Sequence, residues 1–226
     1  EIFAVDFRRP DAAPLLRWQG CLAMPAGHVA NSVASYSDGT VIATVLTRPG
    51  TSITDFVMGR DTGGVYERGP RDRAFRLLPG TQLQGNNGLE TARDDSGFYV
   101  IAFGPRQVVA YARRNTRQPL WRLTAPDFMP DNIHWDGDRL LLAGMARDEP
   151  TCGGTRKIID GVADAMACHR GWTVAQLDPV ARRFTLVASG PPDLLFNGVS
   201  AAVILDGALW LGSYQAERIA IRSLTH

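Results

Sequence analysis

Short apolar runs divided by glycine- and proline-bearing turns, with almost no helical periodicity, predict an all-β chain. The same four-strand phrase returns along the sequence, which predicts four-stranded antiparallel blades arranged as a β-propeller. The punctuation supports both points. Ser37-Asp38-Gly39, Asp95-Ser96-Gly97, Asp136-Gly137 and Asp206-Gly207 each stand between two β-rich runs. Glycine there supplies the positive φ of a tight hairpin turn. A β-sandwich would also accommodate short strands, but it gives no reason for the phrase to recur.

Taken in order, Glu1–Phe7 and Leu15–Leu22 read as the last two strands of a blade. A complete blade follows over 28–80, with Ser32–Tyr36 before its first turn and Thr40–Leu46 after it. The next spans 85–126 as Gly88–Ala92, Phe98–Phe103, Gln107–Arg113 and Pro119–Ala125. A third spans 130–190 as Asn132–Trp135, Arg139–Met145, Trp172–Leu177 and Phe184–Ser189, interrupted by an insertion at about 146–171. Inside the insertion Ile158, Ile159, Val162 and Ala163 stand at helical spacing, which predicts a short helix within Arg156–Ala167. Asn197–Leu224 supplies three strands of a last blade, two of them Val199–Leu205 and Ala208–Tyr214. The chain therefore reads as one β-propeller domain over 1–226 that covers about four blades. A propeller closes by pairing its last blade with a strand from the other end, because an unpaired sheet edge is costly. No run in this sequence supplies that strand, so either the ring closes unusually or about two blades precede this segment.

Composition excludes several classes of function. Lys and Arg number 24 against 23 Asp and Glu, so the net charge is +1 and the strongly basic chain of a sequence-independent nucleic-acid binder is excluded. Hydrophobic residues at 45 % and charged ones at 21 % exclude disorder. No apolar run approaches the ~20 residues of a transmembrane helix. No Gly-x-Ser-x-Gly elbow and no Cys-x-x-Cys pattern occurs. Lys157 is the sole lysine and lies in the insertion, which leaves Schiff-base chemistry without a credible centre.

The residues that carry chemistry recur just ahead of each blade's first strand. They are Asn31, Asn86-Asn87 before Gly88, Pro130-Asp131-Asn132, and Phe196-Asn197-Gly198. Equivalent positions of a propeller converge toward its axis, so these side chains are expected to meet. Amide carbonyls and a carboxylate are hard oxygen donors suited to Ca²⁺. Asn and Asp also cap turns ahead of strands with no further role; the repetition in register is what favours a shared site.

From Asn87-Gly88-Leu89 through Phe98–Ala102 and Val108–Tyr111 to Asp131-Asn132-Ile133, the chain resembles the calcium-dependent arylesterase/paraoxonase group. It is similar, more loosely, to the gluconolactonase (SMP-30-like) and strictosidine-synthase-like propellers. The hairpin Asp206-Gly207-Ala208-Leu209-Trp210-Leu211-Gly212 looks like the arylesterases' final blade. The resemblance implies a six-bladed propeller, of which this chain is the C-terminal two-thirds. It implies a Ca²⁺ in the central tunnel that polarises the carbonyl of a lactone or aryl ester during hydrolysis. Carried over by position, Asn31, Asn87, Asp131 and Asn132 fall where that group has calcium ligands. It also implies a glutamate ligand from a first blade, for which this sequence offers no counterpart. Asn31-Ser32 stands where many arylesterases have Asn-Asp, which departs from their second calcium site. A ligand-binding or protein-interaction propeller without turnover is the alternative function.

Four histidines are available as a general base. His28 is the candidate, three residues before Asn31 in the same loop. His134 alternates along a strand with Asn132, His169 lies in the insertion and His226 at the end. Glu90 follows Asn87 on the same strand. Cys152 and Cys168 bracket the insertion, and a bond between them would staple it over one tunnel mouth, worth on the order of 3 kcal/mol. That pairing, with Cys21 left as a thiol, suits a periplasmic or secreted protein.

Overall fold

Twisted antiparallel sheets follow one another in chain order in the computed structural model, which describes residues 2–6, 13–147, 158–159, 162–163 and 169–224. A two-stranded sheet comes first, β1 (Ile2–Asp6) with β2 (Leu15–Gly20). Blade I orders β3 (Val33–Ser35), β4 (Val41–Val45), β5 (Gly64–Arg68) and β6 (Arg76–Leu77), with a short helix α1 (Ile53–Val57) between β4 and β5. Blade II comprises β7 (Asn86–Thr91), β8 (Gly97–Ala102), β9 (Gln107–Ala112) and β10 (Trp121–Thr124). Blade III starts with β11 (Phe128–Asp136) and β12 (Arg139–Ala146). The pair β13 (Ile158–Ile159) and β14 (Val162–Ala163) intervenes before β15 (Trp172–Asp178) and β16 (Arg183–Gly190) complete the blade. Blade IV has three strands, β17 (Val199–Leu205), β18 (Ala208–Ser213) and β19 (Ala220–Ser223). The result is an all-β propeller arrangement of four blades.

Alternation along the strands explains why the blades stack. In β12, Leu140 and Leu142 enter the core shared with blade II, while Leu141 and Ala143 enter the core shared with blade IV. In β9, Val108 and Val109 likewise serve opposite neighbours. Successive side chains of a strand point to opposite faces, so a strand buried on both faces reads as one continuous apolar run. Inner strands pack blade to blade, β3 against β7, β7 against β11 and β11 against β17. Among the described residues no comparable packing joins blade IV to blade I. The outward flank of blade IV accordingly shows Val203 at 56 % exposure and Ile221 at 57 %.

Three sequence expectations change. The helix expected over Arg156–Ala167 is absent from its described part: Ile158 pairs with Ala163 and Ile159 with Val162 as antiparallel strands. The same apolar spacing suits two strand ends flanking the sequence Asp160-Gly161, and Asp-Gly is itself a strong hairpin signal. The helix that does form, α1, lies within 47–62, a stretch that the sequence presents as a loop between two strands. Its sequence carries a capping box, in which Ser52 accepts from the Asp55 N–H and Asp55 accepts from the Ser52 N–H. Finally, the chemistry-bearing residues of blades II and III lie within the inner strands β7 and β11, whereas Asn31 and Asn197 stand ahead of β3 and β17. Cys152 and Cys168 lie outside the described residues, whereas Cys21 is an exposed free thiol.

Candidate functional site

Three of the four inner strands, β7, β11 and β17, carry one residue more than their partners, and that irregularity positions the site. In β11, Pro130 pairs with Gly144 and Asn132 with Ala143, so Asp131 is the extra residue. In β17, Val199 pairs with Ser213 and Ala201 with Gly212, leaving Ser200. In β7, Asn86 pairs with Ala102 and Leu89 with Val100, so Asn87 and Gly88 together face one partner residue. Blade I repeats the pattern just ahead of β3. The Asn31 N–H donates to Thr44 O (2.8 Å), and the Thr44 N–H donates to Ser32 O (2.9 Å). A β-bulge bends the strand and re-aims a side chain out of the regular ladder. Asn31, Asn87, Asp131 and Ser200 are thus equivalent positions on four blades, with Asn132 next to Asp131.

One cavity of about 410 Å³ collects all five of them. Asn87 is 6 % exposed, and its Oδ1 is buried without a hydrogen-bond partner. Its neighbour Asn86 is the opposite case: Oδ1 accepts from the Leu83 N–H (3.1 Å) and Nδ2 donates to Thr81 O (2.9 Å). Asn86 therefore ties a turn to the head of β7, as asparagines commonly do. The Asn87 side chain has no such employment. Its backbone is held instead, because Thr44 Oγ1 of blade I donates to Asn87 O at 2.7 Å. Gly88 lets β7 close on β11: a Cβ there would stand 2.5 Å from Asp131 O and 2.7 Å from the Asn132 Cα. Asn132 Nδ2 lies 3.5 Å from Asp131 Oδ1.

The rest of the lining is apolar, formed by Leu46, Ile53, Phe56, Phe103 and Met145, together with Tyr214. Helix α1 delivers Ile53 and Phe56. Gln84 Nε2 of the strand-entry loop donates to Phe56 O (2.8 Å), fixing the helix to blade II. The Phe56 and Phe103 rings stand 6.0 Å apart. The Ser52 hydroxyl, together with its backbone N–H and Arg60, holds the Asp55 carboxyl below its ordinary value. Strand β14 of the insertion also lies against α1. A lining that joins polar oxygens to apolar side chains suits a ligand with both a polar and an apolar part.

Of the sequence-derived site residues, Asn31, Asn87, Asp131 and Asn132 line this cavity and His28 does not. The His28 ring sits edge-on to Tyr66 at 5.0 Å, and its Nδ1 lies 3.1 Å from Ala26 O. His134 faces Glu90, with Nδ1 3.8 Å from Oε2, away from the lining. Asn197 is buried with an unpartnered Oδ1 but does not line the cavity. Ser200 stands at the blade IV position for which Asn197 was the sequence candidate. A signal for it existed. Asp131 precedes its own turn at Asp136-Gly137 by an interval that, counted back from Asp206-Gly207, lands one residue from Ser200 and four from Asn197.

The donor set fits a hard cation such as Ca²⁺. Every polar lining residue supplies oxygen, Asp131 supplies a charge, and the buried Asn87 carbonyl is unmatched, a state that costs about 1–3 kcal/mol when nothing compensates it. Among the described residues no group of three or more His, Cys, Asp or Glu side chains gathers at this cavity or elsewhere, so amide and hydroxyl oxygens make up the rest of the donor set.

No family model matches the chain, and no curated protein does. Solved structures share its fold. The computationally designed Ika4 protein superposes with a TM-score of 0.51 at 12 % identity, over 92 % of this chain and 100 % of its own. U3-55K gives a TM-score of 0.51 at 11 % identity, over 86 % of this chain and 46 % of its own. At these identities the likeness concerns the fold alone. A gluconolactonase from Xanthomonas campestris aligns at 17 % identity over 89 % of this chain and 59 % of its own, with a TM-score of 0.48. The chain thus spans about half the length of U3-55K. Among the described residues no helix is long and apolar enough to cross a membrane.

Proposed function

We propose that the protein is a calcium-dependent hydrolase of lactones or aryl esters, with its site in the cavity between the inner strands. A six-bladed ring of which this chain supplies four blades belongs to the same reading. The observation that carries it is the single cavity holding equivalent Asn31, Asn87 and Asp131, in which the Asn87 carbonyl is buried without a partner. The sequence resemblance supplies the reaction class.

Asn31, Asn87, Asp131 and Asn132 would hold the ion, with Asp131 as the charged ligand. A bound Ca²⁺ supplies Lewis-acid polarisation of a carbonyl oxygen and stabilises the charge that develops there. The chain's own residues do the rest of the binding. Phe56, Phe103 and Met145 receive the apolar body of the ester and keep water from it, and the bulged residues hold the polar end at the axis. Ca²⁺ usually takes six to eight oxygens, so water or further side chains complete its shell.

A ligand-binding propeller without turnover is the second reading, favoured by the absence of histidine from the cavity lining among the described residues. One experiment separates the two. The protein is assayed for bound calcium, then for hydrolysis of a panel of lactones and aryl esters with and without chelator. Turnover abolished by chelator supports the hydrolase. Bound calcium without turnover on any ester supports the binding protein, and absence of calcium affinity overturns the cation reading. Export to an oxidising compartment with Cys152 and Cys168 bonded is part of this proposal. Titration of the denatured, unreduced protein should then find one reactive thiol, Cys21.

A further inference from the structure

We infer that Ser200 is the fourth blade's member of the same cation-binding ring, its hydroxyl facing the centre that Asn31, Asn87 and Asp131 face. This rests on the cation reading above and extends it to blade IV. Two independent observations carry it. Ser200 is the extra residue between the Val199–Ser213 and Ala201–Gly212 pairs, the place Asp131 occupies between Pro130–Gly144 and Asn132–Ala143. It also lines the cavity that holds the other three. Equal bulges in the inner strands of adjacent blades re-aim their extra side chains in the same sense. No hydrogen bond engages the Ser200 hydroxyl among the described residues, whereas the nearby Ser213 hydroxyl accepts from the Gln215 and Ala216 N–H groups at 2.9 and 2.8 Å. Ser213 closes a turn; Ser200 is left for the cavity.

The ring then reads Asn, Asn, Asp, Ser, with one formal charge. Affinity for Ca²⁺ rises with the number of charged ligands. A carboxylate placed at 200 would face the ion from the blade beside Asp131 and double the charge of the site.

The test is calorimetric titration of Ca²⁺ into the full chain, carried into the millimolar range because a site with one carboxylate binds weakly. Wild type is compared with Ser200→Ala, Ser200→Asp and Asn87→Ala. Ser200→Ala should weaken binding by a few-fold, and Ser200→Asp should tighten it by about tenfold or more. Thermal melts in chelator and in calcium accompany the titration. Ser200→Asp should melt lower than wild type in chelator and recover in calcium. If Asn87→Ala weakens binding while both Ser200 variants titrate like wild type, the assignment of Ser200 falls and the cation reading stands. If wild type binds nothing but Ser200→Asp binds, Ser200 does face the ring and the native cation reading falls. If no variant binds, both fall.

Discussion

Blades III and IV use similar hairpins yet live in different surroundings. Blade III lies between two neighbours, so Leu140, Leu141 and Leu142 of β12 are all buried, on alternating sides. Among the described residues, blade IV packs against blade III on one face and against no other blade to a comparable extent. Ala202, Leu209 and Leu211 are buried there, while Val203, Leu205 and Trp210 from the same strands look outward. The lesson is that a propeller strand's apolar content reflects two cores at once. An end blade still carries the pattern of a strand with two neighbours. The site follows the same geography, since it sits where inner strands of adjacent blades meet and depends on how closely they approach.

The largest effect should come from the doubly buried blade. Leu142→Ala is expected to lower the unfolding free energy by about 2–5 kcal/mol, read from urea denaturation. Val203→Thr keeps shape and β-branching on the outer flank and should change it by less than about 0.5 kcal/mol. A loss at Val203 comparable to that at Leu142 would mean that the flank is covered in solution, and the comparison would break.

Next comes the seam between blades II and III. Gly88→Ala places a methyl against Asp131 O and the Asn132 Cα. Forcing those strands apart should cost about 1–3 kcal/mol and disturb calcium binding together with stability. Full stability in this variant would show that the seam is looser than described.

Adjacent asparagines offer a finer contrast. Asn86→Ala strands a buried N–H and carbonyl and should cost about 1–3 kcal/mol without acting on the ion directly. Asn87→Ala removes a carbonyl that bonds nothing in the protein, so stability without calcium should hold or rise slightly while calcium affinity falls. Equal melting losses in chelator would remove the distinction between them.

The smallest effect is electrostatic, at the contact between blades I and II. The Thr40 backbone N–H, followed by the Arg113 guanidinium, holds the Asp38 carboxyl at about 2, below its ordinary 3.8. A depressed folded-state value means that its stabilisation is complete above the ordinary value and is lost as pH falls from there toward about 2. Asp38→Asn should therefore flatten the acid side of a stability–pH curve over that window and leave neutral behaviour nearly unchanged. The side chain is exposed, so screening keeps the effect small. An unaltered acid limb would assign it to other carboxylates, such as Asp178, which the Ala181 N–H also holds low.

Much of the architecture was legible because its causes are local. Alternating apolar runs and Asp-Gly turns name strands and hairpins directly: Val199–Leu205 and the Asp206-Gly207 turn appear as read, and four sheets follow the expected blade boundaries. The helical reading of 156–167 failed because four apolar residues at that spacing satisfy a helix and a hairpin alike. The α1 helix was missed although Ser52 and Asp55 carry its cap, since five residues are too few for periodicity to speak. The recurrence of Asn and Asp marked Asn31, Asn87, Asp131 and Asn132, but it drew attention to Asn197 on blade IV and past Ser200.

By itself, then, the sequence determined the strand inventory, the order of the blades and the oxygen-rich residue types near the heads of the inner strands. Tertiary structure alone decided which of those residues face a common cavity. The reason is physical. A bulge's position depends on pairing between strands, and hydrogen-bond satisfaction depends on partners distant in sequence, such as Thr44 for Asn87. Asn86 and Asn87 are identical side chains one residue apart. Asn86 fastens a turn through partners three and five residues away, whereas only the packed blades bury the Asn87 carbonyl unmatched beside the cavity.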